Sequence, residues 1–231
     1  MKTYSESDIQ SICDMGAPCF QKLTPDELEL VKNSKTQVQF RKGENLTKQG
    51  AFASSILFVI DGLVKQYVEG DSTRNFNLRV IRSGEFIGLS TVFNKNTFNY
   101  SAVALRETLA CLIEKDIMTN LIKNNSGFAF GIVKRYCDQD STLFDIIRNL
   151  MYKQMPGKLA DTLLYLSSDA FGDEDIFTLL SRREIADFAG ISTESAVKLL
   201  KSFEKDGLIR LDEKNIEILN RNALMEVSRR G

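Results

Sequence analysis

Apolar positions along this chain change period twice. Between Val38 and Ile113 they come in short runs: Val38 to Phe40, Leu46 to Lys48, Ile56 to Ile60, Leu63 to Val68, Phe76 to Ile81, Phe86 to Gly88, Ser101 to Leu105 and Ala110 to Ile113. Runs of this length between glycines and polar turns predict strands, and Asp61-Gly62 predicts a hairpin joining two of them. Such spacing suits a jelly-roll or closed barrel, which hides strand edges and encloses a pocket. Ahead of the strands, Thr24-Pro25-Asp26-Glu27 combines a cap, a proline at the first helical position and an acid at the third, so a helix starts there and carries Leu28 and Val31 inward.

Past Asp116 the spacing becomes helical. Ile132, Tyr136, Gln139, Leu143, Ile146 and Leu150 recur at steps of four and three. That is the 3.5-residue repeat of a coiled-coil seam and predicts a dimerisation helix, the alternative being a helix packed on its own barrel. Met155-Pro156-Gly157 predicts a helix break and hinge, after which Leu159, Thr162, Leu163 and Leu166 outline another amphipathic helix.

The most informative segment runs from Leu180 to Ile209. Ser181 lies three residues before Glu184, a capping box. Ile185, Ala186 and Ala189 give this first helix an apolar side, Gly190 supplies the left-handed corner, and Ser192 caps a second helix. On the second helix Ala196, Leu199, Leu200 and Phe203 share one face, and Glu194, Lys198, Lys201 and Lys205 share the other. Lysine can donate to guanine, glutamate can accept from cytosine, and serine or threonine can do either. The plainer reading of Glu194 and Lys198 is an i, i+4 surface pair worth roughly 0.2–0.5 kcal/mol. Beyond Asp206-Gly207, Leu208 to Leu211 and Ile216 to Leu219 read as two strands around Asp212-Glu213-Lys214-Asn215, a wing hairpin.

Composition narrows the chemistry. The chain has 231 residues, 43% of them apolar, a net charge of −1 and no histidine. Without histidine the commonest general base is missing, along with every Ser-His-Asp, Cys-His and His-ligated metal arrangement. Neither a P-loop nor a Gly-rich dinucleotide fingerprint is present, so no enzyme is expected. No apolar run is long enough for a membrane span, and Met1 to Asp8 lacks a signal core, which places the protein in the cytoplasm. Four scattered cysteines suit reduced thiols or metal ligands better than disulfides. Because bulk charge is near zero, any footprint on DNA must be local, from Arg182, Arg183, Lys198, Lys201, Lys205 and Arg210.

The order of barrel, long helix, hinge and winged helix resembles the cyclic-AMP receptor protein/FNR (CRP/FNR) family of bacterial transcription regulators. Lys42-Gly43-Glu44, Asp61-Gly62-Leu63-Val64 and Gly84-Glu85-Phe86-Ile87-Gly88 contribute to that resemblance, which spans residues 20 to 220. It implies an α+β chain: a sensor jelly-roll barrel over 1–120, a dimerisation helix over 121–155 and a winged helix-turn-helix domain over 156–231. It also implies a homodimer on a near-palindromic operator, with RNA polymerase as a partner and no membrane. The DNA-binding residues expected are Ser181, Arg182, Arg183, Ser192, Thr193, Glu194, Val197, Lys198 and Lys201. Val197 departs from the small residue common at its place.

An effector pocket is expected around Gly84, Glu85, Gly88, Leu89, Tyr100 and Ser101. Family members that bind cyclic AMP have an arginine where this chain has Tyr100 and a glutamate where it has Leu89, so cyclic AMP is not the expected effector. Arg79 or Arg106 is left to meet another anion. Cys13, Cys19 and Cys111 resemble three of the four cluster ligands of the oxygen-sensing branch, with Gln10 at the fourth place and Asp8 or Asp14 nearby. An iron–sulfur cluster, a thiol switch and a structural role all stay open for them. The alternative from another class is a regulatory module of cyclic-nucleotide-binding type acting on a protein partner.

Overall fold

The computed structural model describes residues 2–3, 20–70, 75–93, 96–172 and 174–231. The chain divides into two compact units, Met1–Glu69 with Arg79–Ser141, and Gly70–Leu78 with Thr142–Gly231.

The first unit is a two-sheet jelly roll with helices on one side. One sheet has the order β1-β2-β9-β4-β7, made of Lys2–Thr3 (β1), Thr36–Phe40 (β2), Thr108–Glu114 (β9), Ser55–Asp61 (β4) and Phe86–Ile87 (β7). The other has the order β3-β8-β5-β6, from Asn45–Thr47 (β3), Ser101–Ala104 (β8), Leu63–Glu69 (β5) and Asn75–Arg82 (β6). Between the sheets pack Val38, Leu57, Val59, Val64, Ile81, Ile87, Ala102 and Ala110. The opposite face of β4 and β9 turns Ile56, Phe58, Cys111 and Ile113 toward Val31, Met118, Leu121, Phe128 and Ile132 of three helices. Both faces of β4 are therefore covered, which is why its apolar run is unbroken rather than alternating.

Asp61-Gly62 does not make a hairpin. β4 and β5 lie in different sheets, and the dipeptide carries the chain from one to the other. Gly62 has φ 129°, and a Cβ there would stand 2.4 Å from Thr108 Oγ1, so the glycine serves close passage beside β9. Asp61 instead receives two 2.9 Å hydrogen bonds from Arg106. The Arg106 guanidinium, mainly through these bonds, holds the Asp61 carboxyl below its usual range.

The first helix of this unit begins as its cap dictates. Pro25–Ser34 (α1) opens on a Thr24–Glu27 capping box, with Val31 buried. Lys115–Asn124 (α2) leads to Ser126–Tyr152 (α3), the long helix. Its orientation corrects most of the expected seam. Ile132 joins the helical core and Tyr136 packs against it, Gln139, Ile146 and Leu150 are half-buried, and Leu143 alone of the six is exposed. The exposed apolar row is a different one: Phe130, Val133, Cys137, Phe144, Ile147 and Met151, interrupted by Asp140.

The second unit is helical with a small hairpin. Met155–Leu166 (α4), Ile176–Leu179 (α5), Arg182–Ala189 (α6) and Thr193–Lys205 (α7) precede Ile209–Asp212 (β10), Asn215–Ile218 (β11) and Arg221–Arg230 (α8). The helix break falls at Lys153-Gln154, and Pro156 sits in the first turn of α4, where its missing N–H costs nothing. Lys153 is anchored at this break by an ion pair to Asp161 at 2.5 Å and a hydrogen bond to Ser228 at 3.0 Å. Leu159, Leu163 and Leu166 of α4 are buried, as are Ile185, Ala186, Leu200, Phe203, Ile216 and Leu224.

Candidate nucleic-acid interface

Local hydrogen bonds set the two reading-head helices. Glu184 N–H donates to Ser181 Oγ at 3.2 Å and Ser181 N–H donates to Glu184 Oε2 at 2.8 Å, closing the capping box of α6. Gly190 takes φ 65° at the end of that helix, the left-handed corner a side chain would strain. Ser192 then caps α7 by accepting from Ser195 N–H at 3.1 Å.

Ala196, Leu200 and Phe203 are buried and Leu199 is half-buried, so the inner row of α7 is the packed one. Thr193, Glu194, Lys198, Lys201 and Lys205 are exposed. Among the described residues Glu194 and Lys198 form no ion pair with each other, and none of the three lysines is paired. Val197 is half-buried beside this row. Its chemistry is a line of ammonium donors around one carboxylate and one hydroxyl, a pattern suited to base edges and phosphates.

Other expected contacts have structural duties. Arg182 is turned onto the hairpin, donating to Glu213 O at 2.9 Å and to Asn215 O at 3.5 Å, with Nη1 buried and unpartnered. Burial lowers its pKa. Expected as a DNA contact, Arg182 instead joins α6 to the wing. Ser181 and Ser192 spend their hydroxyls on caps. Arg183 is exposed on α6. The wing is tighter than the sequence suggests, with β10 and β11 paired down to Asp212↔Asn215 and only Glu213 and Lys214 between. Glu213 has φ 49° at that turn. Arg210, directly across from Glu217, is hydrogen-bonded to it, which neutralises a charge counted toward the footprint.

The barrel positions expected to hold an effector are satisfied internally. Gly88 N–H donates to Tyr100 Oη at 2.9 Å. Ser101 Oγ accepts from Gln49 N–H at 2.9 Å and donates to Glu69, which pairs with Lys48 at 2.7 Å. Glu85 accepts from Arg79 at 3.0 and 3.1 Å, and Arg79 Nε donates to Gln66 at 2.9 Å. Gly84 turns the chain into β7 with φ 83°, and Leu89 is buried in the helical core. Neither Arg79 nor Arg106 is left over for an anion, which corrects that expectation. Burial raises the Tyr100 pKa. Nearby Tyr136 of α3 is pushed up to about 12, chiefly by burial and next by Tyr100. Tyr136, Gln49 and Glu69 were not visible as site residues, because the fold gathers them from separate elements.

Cys111 is 1% exposed in an apolar core with Ile56, Phe58 and Met118. No group of three or more Cys, His, Asp or Glu side chains that could hold a metal occurs among the described residues. Cys13 and Cys19, with Asp8, Gln10 and Asp14, lie outside the described residues. The described residues thus supply no fit for an iron–sulfur cluster.

Comparison with known proteins agrees with this architecture. A family model for the cyclic nucleotide-binding domain matches residues 37–125, and one for the Crp-like helix-turn-helix domain matches residues 157–227. The chain is thus a regulator with a sensor-type barrel followed by a DNA-binding head, and it belongs to the CRP/FNR family of transcription regulators. It is 23% identical over 218 residues to the CRP-like cAMP-activated global transcriptional regulator of Mycobacterium tuberculosis, covering 92% of this chain and 97% of that one. To the fumarate and nitrate reduction regulatory protein of Vibrio cholerae it is 25% identical over 211 residues, covering 88% and 82%. A crystal structure of a crp/fnr-family regulator from Eubacterium rectale superposes with a TM-score of 0.76 at 20% identity, covering 92% and 98%, which speaks to the fold. Among the described residues no helix is long and apolar enough to cross a membrane.

Proposed function

We propose that the chain works as a cytoplasmic homodimer whose two α7 helices enter successive major grooves of a near-palindromic operator, with affinity set by the state of the barrel. The observation that carries this reading is the outer row of α7, where Thr193, Glu194, Lys198 and Lys201 are exposed while the inner row is buried. Thr193, Glu194 and Lys198 read base edges, with Val197 beside them. Lys201, Arg183 and the first turn of α6 meet phosphates. The exposed row of α3 takes the same row of a second copy, a repeat with the 3.5-residue period of a supercoiled pair. RNA polymerase is the partner through which bound DNA is read out.

The barrel effector is not cyclic AMP. A cyclic phosphate entering the site would have to displace the Tyr100 hydroxyl from the Gly88 amide, and it would meet the Glu85 and Glu69 carboxylates with Arg79 already committed to Glu85.

Selection of bound duplexes from a random pool, followed by fluorescence anisotropy, tests this reading. The expected result is enrichment of a two-fold symmetric sequence with half-sites about 10 base pairs apart and affinity that falls steeply with salt. Failure to enrich any sequence, with and without reductant, would remove it. Titration calorimetry with cyclic AMP should register no binding.

A further inference from the structure

Within the second unit lies a cavity of about 250 Å³, apart from both the barrel site and the outer row of α7. Its apolar wall comes from Phe76, in the first half of β6, and Ile146 and Leu150, in the last part of α3, both stretches belonging to this second unit, with Tyr165 of α4 and Phe188 of α6. Pockets for drug-sized ligands run about 300–1,000 Å³, so this one suits a smaller molecule.

The charges in the wall do not cancel. Asp145 is paired with Arg148 at 2.8 Å and Asp161 with Lys153 at 2.5 Å. Half-buried Lys158 has no side-chain partner among the described residues, which leaves one uncompensated positive charge at the cavity. A second polar group is also incompletely satisfied. Asn77, 1% exposed, donates from Nδ2 to Glu184 O at 2.9 Å, and its Oδ1 has no partner. The opposite amide orientation would set two carbonyl oxygens against each other, so the orphan is an acceptor that a carboxylate does not satisfy, and the charge of Lys158 alone selects the head group of a ligand.

We propose that this cavity binds a small amphipathic monocarboxylate, a single-ring aromatic or short-chain aliphatic acid. Its carboxylate meets the Lys158 ammonium, and its apolar body lies between Phe76, Ile146, Leu150 and Phe188. Such a ligand supplies the missing counter-charge and buries apolar surface, which a neutral or doubly charged molecule of the same size does less well. Phe188 and Ala189 of the wall belong to the first reading-head helix, and Asn77 grips that helix through Glu184. Occupancy therefore bears on how the head is held. This coupling, unlike the binding itself, rests on the operator-binding reading.

Titration calorimetry of the full chain, without DNA, reads the site directly with benzoate and hexanoate against neutral benzyl alcohol and hexanol. The carboxylates are expected to bind at least ~10-fold more tightly than the alcohols, a difference of one charge-assisted contact. Lys158→Met should erase that preference. Ile146→Phe should fill the cavity and remove binding of all four, and Lys158→Met, at a half-buried position, decides alone should the larger side chain prevent folding. Absence of carboxylate binding, or binding that neither substitution changes, overturns the proposal. With a selected operator, saturating benzoate should change the DNA affinity of the unsubstituted protein and leave that of Ile146→Phe alone. Binding without any such change supports the site and overturns its coupling, and failure of DNA binding itself leaves the calorimetric result standing.

Discussion

Replacing Phe144 by glutamate tests which row of α3 receives the second copy. Phe144 is 64% exposed in the single chain, close to Phe130 at 73% and Met151 at 69%. A phenylalanine presents roughly 150–250 Å², so burying the exposed part removes about 130 Å² per copy from water. At about 25 cal/mol per Å² that is roughly 3 kcal/mol per copy and about 6 per dimer, an upper value because free helices already shed some apolar surface. Glutamate also places two like charges near the two-fold axis. Even at two-thirds of the full value, about 4 kcal/mol, the dissociation constant rises about a thousandfold. Sedimentation equilibrium measures this directly, with Gln139→Ala from the half-buried row as the control. A Phe144→Glu protein that dimerises unchanged, or a Gln139→Ala protein that falls apart, would refute the assignment of the exposed row.

Three further outcomes are expected. Lys198→Ala should weaken operator binding by about 1–3 kcal/mol per copy while leaving the salt slope unchanged, whereas a slope that falls by about one per copy would reassign Lys198 to phosphate. Arg182→Met should destabilise the second unit by about 1–3 kcal/mol through loss of its bonds to the wing, and an unchanged denaturation curve contradicts the structural duty given to it. Tyr100 and Tyr136 both titrate above the ordinary tyrosine value, mainly through burial. Their contribution to stability is thus complete below about pH 10 and is lost as pH climbs from there through their folded-state values. Phenolate absorbance should show late steps among the six tyrosines. Tyr100→Phe should remove one and bring the Tyr136 step to lower pH, and a titration identical to that of the parent chain counts against the burial described.

Local chemistry determined more of this protein than its low charge suggests. The Thr24 and Ser181 capping boxes, the Ser192 cap and the Gly190 corner each join residues four or fewer apart, so they form wherever the chain goes and are legible in the letters. The strand runs and the two rows of α7 follow from period alone, and with them the sensor-and-head order. Tertiary structure decided which partner each group met. A glycine with positive φ serves a hairpin and a sheet crossing equally well, so only packing could assign Asp61-Gly62 to the crossing. Helix α3 carries two apolar rows, and period cannot say which faces its own chain. The same holds for charged and polar groups: Arg79 with Glu85, Arg182 with the wing and Tyr100 with the Gly88 amide are all bonds whose geometry exists only once strands and helices stand side by side. Hydrogen bonds of short reach are written in the sequence; those that cross the fold depend on surfaces that folding alone brings within 3 Å or so of one another.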